Sequence, residues 1–191
     1  FTRFVLPIGY KGEKIREYFA STKHPFDITL VDTGVETDTA SRMYQAAPYL
    51  HSDTFMMTYG DGVADVNVAR LLAFHVSHGK QATMTGVHPP ARFGYFVTDG
   101  DMVIEFREKA QSDTERINGG FFVLHKEIFS HYSDAKDKNF EKDILPKLAA
   151  ERELAIYRHD GYWQCMDTRR DMEYLNREWA SGDAPWKIWS E

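Results

Sequence analysis

The sequence predicts an α/β fold with a Rossmann-like, mixed and mostly parallel β-sheet that is flanked by helices. Short apolar runs alternate with helical stretches along most of the chain, and a helix between two strands is the usual connection in a parallel sheet. In the middle of the chain, apolar segments flank the turn pair Asp99-Gly100, which is typical of a small antiparallel β-hairpin. These two observations define the fold class.

The strands are predicted from apolar runs of three to six residues that glycine or polar residues bound. They are Phe4–Ile8, Asp27–Val31, Phe55–Tyr59, Ala82–Val87 and Phe121–Leu124, together with the hairpin strands Tyr95–Thr98 and Met102–Ile104. Runs of this kind, joined by helices, are typical of a sheet that is covered on both faces.

The helices are predicted from charged or periodic stretches between these strands. One runs from Lys11 to Ala20 and another passes through Met43. A third follows Asp65, the expected N-cap, and Thr168-Arg169-Arg170-Asp171 has the pattern of a capping box before a last helix toward Ala180. We find no repeat, low-complexity segment or linker, so a single domain over residues 1–191 is expected.

Composition limits the possible classes of function. Of the 191 residues, 42% are hydrophobic and 27% are charged, which is the balance of a globular protein. The net charge of −6 argues against non-specific nucleic-acid binding, which needs a basic surface. No apolar run has the length of a membrane span, so we expect neither nucleic acid nor a membrane as a partner. Cys165 is the only cysteine, which fits a cytoplasmic protein.

Two carboxylates lie where α/β sheets bind ligands. Asp61 follows a predicted strand and has a glycine on either side, and Asp167 lies between a strand and a helix start. Taken singly, each is as typical of a turn or a helix cap as of a ligand. Mg²⁺ takes one or two carboxylates and fills its octahedron with water and phosphate oxygens. Together the two residues predict a Mg²⁺ site at the carboxyl ends of the strands.

Three further features are weak on their own. Glu108-Lys109 after the hairpin is typical of an exposed surface pair. Ile117-Asn118-Gly119-Gly120 precedes a predicted strand and is typical of a turn. His75 and His78 on one predicted helix, and His159 near the chain's end, lack the further ligands that a zinc site needs.

Six motifs follow one another in a characteristic order. They are Tyr59–Asp65, Pro89–Gly94, Glu108-Lys109, Ile117–Val123, Tyr157–Thr168 and Trp179–Lys187. In this order the chain resembles the glucose-1-phosphate cytidylyltransferase branch of the sugar nucleotidyltransferase family. The similarity extends through essentially the whole chain, including Gly9-Tyr10-Lys11-Gly12 near its start. It implies the nucleotide-diphospho-sugar transferase fold.

The resemblance also implies an activity. CTP and α-D-glucose 1-phosphate would give CDP-glucose and pyrophosphate with Mg²⁺ as cofactor, at the head of dideoxysugar synthesis for bacterial O-antigen. The attacking phosphate oxygen is already ionised near neutral pH, so no general base is required. The acceleration would come from in-line positioning and charge neutralisation. Family members assemble into oligomers, so a homo-oligomer is expected.

On the metal and sugar side, the resemblance implies roles for individual residues. Asp61 and Asp167 match the two metal-ligand positions, and Lys109 matches the lysine that holds the sugar phosphate. These three are the expected catalytic residues. Glu108 and Asn118 match positions that bind sugar hydroxyls. Gly94 lies where the family's backbone borders the sugar.

On the nucleotide side, Arg42 and Tyr59 match positions near the nucleotide. The chain departs from the family at Ala40-Ser41, where two glycines usually precede this arginine, and a stiffer loop is expected there. It departs again at Ala110, where the family has proline after the lysine.

The largest departure is at the start of the chain. The family's first strand and its Gly-Thr-Arg loop, which cradles the triphosphate, do not precede Phe1. Such a strand–crossover–strand unit takes roughly 30 or more residues, so an uncovered sheet edge is expected. We therefore expect Phe1–Glu191 alone not to make CDP-glucose. The alternative is a non-catalytic homologue that binds sugar phosphate or assembles with full-length subunits, and the match at Tyr157–Thr168 disfavours another base or sugar.

Overall fold

The computed structural model describes residues 1–89, 94–107, 116–135 and 138–189. The strands are β1 (Arg3–Ile8), β2 (Asp27–Asp32), β3 (Thr54–Thr58), β4 (Gly62–Ala64), β5 (Ala82–Val87), β6 (Tyr95–Asp99), β7 (Met102–Arg107), β8 (Ile117–His125), β9 (Leu154–His159) and β10 (Trp163–Cys165). The α-helices are α1 (Gly12–Ser21), α2 (Thr39–Ala46), α3 (Val68–His78), α4 (Ile128–His131), α5 (Leu145–Ala150) and α6 (Arg169–Ser181). Short 3₁₀ turns occupy Ala47–Tyr49 and Ser133–Ala135, and a π-helical turn occupies Phe140–Ile144.

The described strands form parallel and antiparallel sheets. β1 pairs with β2 in parallel, and α1 is the connection that such a pair requires. β4 pairs with β10 and β6 pairs with β7, both antiparallel. A further sheet has the strand order β3–β8–β5–β9. The predicted α/β class, including its small antiparallel hairpin, is confirmed.

The chain divides into two compact units. The first comprises Phe1–Phe55, Lys80–Ala82 and Leu124–Leu154. The second comprises Met56–Gly79, Thr83–Val123 and Ala155–Glu191. The single domain over residues 1–191 stays a prediction.

In the first unit, α2 packs its apolar side inward. Ala40, Met43 and Ala46 are buried, and Ser41 beside them is buried as well. Ala40 and Ser41 therefore lie in the first turn of a helix, and the expected stiffer loop at this point was wrong. Alanine has the highest helix propensity, which explains why a helix forms here directly after Asp38.

In the second unit, α3 supplies the centre of the core. Leu71 packs with Val66 and Val123, and the partly buried Met56 and Tyr157 lie against this cluster. The burial of such side chains provides most of the stability of a helix of this length, because isolated short helices are marginal in water.

The start of α3 differs from the prediction. Its N-cap is Asn67, whose Oδ1 accepts a hydrogen bond from the Arg70 N–H at 3.0 Å. The expected N-cap, Asp65, instead lies with its carboxylate 2.8 Å from His159 Nε2. Asparagine caps helices as well as aspartate does, so local pattern alone does not distinguish Asn67 from Asp65. Within the described ranges, no helix is both long and apolar enough to cross a membrane.

Candidate active site

The β4–β10 ladder places Asp61 and Asp167 on adjacent chain segments. Cys165 pairs with Gly62, and the Met166 N–H donates to the Asp61 carbonyl at 2.7 Å, so the pairing continues beyond the end of the strands. Asp61 immediately precedes β4 and Asp167 follows β10 by one residue. The two carboxylates therefore stand on neighbouring chain segments at one end of the ladder, and both residues are exposed.

The donor types and exposure of this pair fit Mg²⁺. Among the residues with described positions, no group of three or more His, Cys, Asp or Glu side chains is arranged to hold a metal. Two exposed carboxylates match an ion that keeps several waters and binds with substrate phosphates.

Asp167 is held on both sides. Its Oδ2 accepts a hydrogen bond from Cys165 Sγ at 3.2 Å. On the other side, α6 begins with a capping box, in which Thr168 Oγ1 accepts from the Asp171 N–H and Asp171 Oδ2 accepts from the Thr168 N–H. The predicted capping box is confirmed. It fixes the backbone directly after Asp167, which limits how far this carboxylate can move.

The amide of Asn118 is also held on both sides. Its Oδ1 accepts from the Gly120 N–H at 2.9 Å, and its Nδ2 donates to the Tyr59 hydroxyl at 3.2 Å. The Tyr59 N–H donates to the Gly120 carbonyl at 3.1 Å, which joins the same two segments through the backbone. Tyr59 therefore orients a sugar-side candidate, whereas the family resemblance assigned it to the nucleotide.

The segment Ile117–Gly120 is the first half of β8, so its interpretation as a turn was wrong. At Gly119, an added Cβ would lie 2.7 Å from Val87 Cγ1 and 3.1 Å from the Thr85 carbonyl oxygen. The Trp163 indole N–H also donates to the Gly119 carbonyl at 2.8 Å. Glycine is needed here because β8 and β5 approach closely, not because the chain turns.

Arg116 is the residue before β8, and its side chain makes contacts that the sequence did not reveal. Its Nη1 donates to the carbonyls of Gly86 and His159, at 3.1 Å each, and its Nη2 donates to Asp160 Oδ1. His88 Nε2 lies 3.2 Å from the same carboxylate oxygen. The Arg116 hydrogen bond holds the pKa of Asp160 below its usual value. The group thus ties the ends of β5 and β9 to the chain two residues before Asn118.

Arg42 lies in the first unit and is described there by itself. Its guanidinium donates to Thr33 Oγ1 at 2.6 Å and to the Val35 carbonyl at 3.2 Å. An added Cβ on Gly9 would lie 2.8 Å from Arg42 Nη1, so glycine leaves the space that the guanidinium occupies. Arg42 is half-buried and ordered by the loop that follows β2.

The remaining sugar-side candidates flank the hairpin. Gly94 directly precedes β6 and is half-buried. Glu108 and Lys109 directly follow β7 in the sequence and lie outside the described residues. The structure thus joins Tyr59 to Asn118 through a hydrogen bond and places Asp61 and Asp167 on adjacent segments at one end of the β4–β10 ladder.

Comparison with known proteins places this chain in a family. The family model described as Nucleotidyl transferase matches residues 5–177. The chain belongs to the nucleotidyl transferase family. Glucose-1-phosphate cytidylyltransferase of Salmonella typhi is 40% identical over 209 residues, which cover 97% of this chain and 81% of that protein. The enzyme of the same name from Salmonella typhimurium gives the same identity and coverage. The predicted family resemblance is confirmed.

Solved structures with the same fold extend this result. HddC from Yersinia pseudotuberculosis has a TM-score of 0.69 at 21% identity, covering 93% of this chain and 79% of that one. The same protein complexed with GMP-PN has a TM-score of 0.68 at 20% identity, covering 92% of this chain and 77% of that one. At such low sequence identities, the similarity shows only that this chain has the same fold as these two structures.

Proposed function

We propose that this protein transfers a cytidylyl group from CTP to α-D-glucose 1-phosphate, giving CDP-glucose and pyrophosphate. The observation that carries the proposal is the placement of Asp61 and Asp167 at one end of the β4–β10 ladder. The names of relatives with 40% identity support the choice of substrates. We extend the proposal to a homo-oligomer and to a role in dideoxysugar synthesis for bacterial O-antigen.

In the proposed reaction, an oxygen of the sugar phosphate attacks the α-phosphorus of CTP. A new phosphorus–oxygen bond forms as the bond to the leaving pyrophosphate breaks, so no oxidant, reductant or general base is needed. Asp61 and Asp167 would hold the Mg²⁺ ion. When bound, this ion supplies positive charge that offsets the negative charge of the phosphates. Rate enhancement then depends on how well the chain aligns its two substrates.

Different residues of the chain would bind the sugar phosphate and the nucleotide. Asn118, with its amide orientation fixed by Gly120 and Tyr59, would bind a sugar hydroxyl. Lys109 would hold the sugar phosphate, Glu108 a further hydroxyl, and Gly94 the edge of the sugar ring. Arg42 would contact the nucleotide through a guanidinium that Thr33 already orients.

The activity is tested by incubating CTP, glucose 1-phosphate and Mg²⁺ with residues 1–191 and, in parallel, with a form of the protein that also carries the family's Gly-Thr-Arg loop. We expect pyrophosphate release with equimolar CDP-glucose, measured by coupled assay and by mass spectrometry, from the form that carries the loop and none from residues 1–191 alone. ATP, GTP, UTP and dTTP, and then mannose 1-phosphate, serve as competitors in matched reactions. Binding of glucose 1-phosphate without any turnover would identify a non-catalytic homologue, and faster turnover with another nucleotide would reject CTP.

Lys109→Ala should weaken glucose 1-phosphate far more than CTP. A hydrogen bond between an ammonium group and a phosphate contributes about 1.5–3 kcal/mol, so a loss of at least about tenfold in affinity is expected. Titration calorimetry measures both affinities. Lys23→Ala, at an exposed position, is the matched control and should change neither. Unchanged glucose 1-phosphate binding by Lys109→Ala would place the phosphate elsewhere.

Tyr59→Phe should raise the KM for glucose 1-phosphate and leave the KM for CTP unchanged. The substitution removes the acceptor of the Asn118 Nδ2 hydrogen bond, and a neutral hydrogen bond contributes about 0.5–1.5 kcal/mol, or roughly two- to tenfold. Steady-state kinetics with each substrate varied in turn measures the effect. Tyr10→Phe is the control, because Tyr10 is 72% exposed. A selective rise in the KM for CTP would instead indicate that Tyr59 binds the nucleotide, as the family resemblance implies.

A further inference from the structure

The side chain of Trp163 joins the two-stranded β4–β10 ladder to β8. Its backbone begins β10 and pairs with Ala64 of β4. Its half-buried indole donates a hydrogen bond from Nε1–H to the Gly119 carbonyl at 2.8 Å. β8 belongs to the four-stranded sheet with the order β3–β8–β5–β9, and all of these residues lie in the second compact unit. One side chain therefore connects a short ladder to a larger sheet.

The indole nitrogen lies next to both halves of the candidate site. Its acceptor, Gly119, directly follows Asn118, the residue proposed to bind a sugar hydroxyl. On the metal side, a Cβ added to Gly62 would lie 3.7 Å from the same nitrogen, and Gly62 directly follows Asp61. The nitrogen therefore faces the position after Asp61 and the position after Asn118.

The acceptor of this hydrogen bond is held firmly in the sheet. An added Cβ at Gly119 would lie 2.7 Å from Val87 Cγ1, so β8 packs closely against β5 at this point. The next carbonyl along β8, that of Gly120, accepts from the Tyr59 N–H at 3.1 Å. The Gly119 carbonyl is thus a fixed point, and the indole sets the position of β10 relative to it.

The ladder needs such a connection because it is short. It has three residue pairs, and an isolated two-stranded ladder is only marginally stable in water. Asp167 lies four residues after Trp163, so a displacement of β10 also displaces this carboxylate relative to Asn118. In-line transfer is sensitive to such a change, because a misplacement of about 1 Å can cost about 10²-fold in rate.

We propose that Trp163 is a positioning residue that aligns the metal side of the site with the sugar side. It acts through the Gly119 carbonyl and contacts neither substrate. Each half keeps its own contacts without the indole, because the β4–β10 pairing remains and the Tyr59 hydroxyl still orients Asn118. Loss of the indole hydrogen bond should therefore lower kcat and leave the binding of each substrate intact. This inference rests on the proposed function.

Two substitutions separate the hydrogen bond from the bulk of the ring. Trp163→His keeps a five-membered ring whose N–H nitrogen is two carbons from Cβ, as in indole, so the hydrogen bond can form. Trp163→Phe keeps an aromatic ring without a donor. We expect Trp163→Phe to lower kcat by about 10–10²-fold and Trp163→His to retain most of the wild-type kcat. In both variants, the KM for each substrate and the Mg²⁺ concentration for half-maximal rate should stay at wild-type values.

The comparison between the two variants excludes a general loss of stability as the cause. Histidine buries less apolar surface than phenylalanine, so a purely structural role predicts that Trp163→His is the worse variant. We expect the opposite order in kcat. Steady-state kinetics uses the form that carries the Gly-Thr-Arg loop, at a temperature well below the melting temperature of each variant. Trp189→Phe and Trp189→His, at a position that is 54% exposed, are the matched controls and should leave kcat unchanged.

The hydrogen bond is also measured without any substitution at Trp163, should these variants fail to fold. In the ¹⁵N-labelled wild type, the Nε1–H of Trp163 should exchange with solvent at least about tenfold more slowly than that of Trp189. Its resonance should shift when CTP with Mg²⁺ is added and again when glucose 1-phosphate is added, because the indole borders both sides. Exchange as fast as that of Trp189, or a response to neither addition, would overturn the inference.

The kinetic results distinguish this inference from the proposed function. Wild-type kcat in Trp163→Phe, or an equal loss of kcat in both variants, would reject the role of the hydrogen bond. A raised KM for glucose 1-phosphate with unchanged kcat would place the indole in contact with the sugar phosphate instead. Each of these results leaves the proposed function standing, because the wild type still makes CDP-glucose. A wild type that makes none would reject the proposed function itself.

Discussion

Asp61→Asn and Asp167→Asn are each expected to lower kcat by a factor of at least about 10²–10³ while the fold remains intact. Removing one preorganised charge partner from a reaction that develops charge on phosphate oxygens typically has an effect of this size. Both residues are exposed, so the asparagine variants leave no buried group without a partner. Stopped assays of pyrophosphate release, with circular dichroism and thermal melting on the same samples, measure the two properties separately.

A shared metal ion makes a further result specific to this pair. If both carboxylates hold one ion, the double variant should be little worse than either single variant, because the ion is already lost. Each single variant should also require more Mg²⁺ for half-maximal rate. Asp183→Asn, at an exposed position, is the matched control and should change neither quantity. Near-normal turnover by a well-folded Asp61→Asn would remove the metal assignment.

The longer elements could be predicted from the sequence, whereas the shortest could not. Apolar runs and helical spacing located β1, β2, β3 and β5 and the helix α6, because each repeats its pattern over enough residues. β4 and β10 have three residues each, too few for a periodic pattern. Their pairing places Asp61 and Asp167 on adjacent chain segments, so the two residues could be chosen from the sequence but the ladder between their segments could not.

Contacts between distant parts of the chain explain the other differences. From the sequence, Gly119-Gly120 were interpreted as turn residues. Glycine is required there because atoms of Val87, Thr85 and Tyr59, which are distant in the sequence, leave no room for a Cβ. Arg116 reaches Asp160 across 44 positions. No local pattern encodes such a pair, and its partners become evident only when β5, β8 and β9 lie side by side.

Gly120→Ala is expected to have the second large effect, through Tyr59 and Asn118. Gly120 has φ +77°, and an added Cβ would lie 2.7 Å from Tyr59 Cδ2. Alanine in this region costs about 1–2 kcal/mol of stability from backbone strain alone. The methyl group must also displace the Tyr59 ring, and with it the hydroxyl that orients the Asn118 amide. A misplacement of about 1 Å can cost about 10²-fold in rate.

Two readouts separate strain from misplacement. The free energy of unfolding, from urea titration, should fall in Gly120→Ala, and kcat/KM for glucose 1-phosphate should fall about 10²-fold. Gly79→Ala is the matched control, because Gly79 has φ +63° and an added Cβ would meet nothing within 4 Å. It should lose stability from strain and keep its kinetics. If both variants lose similar stability and neither changes kcat/KM, Tyr59 and Gly120 do not position Asn118 for the sugar phosphate.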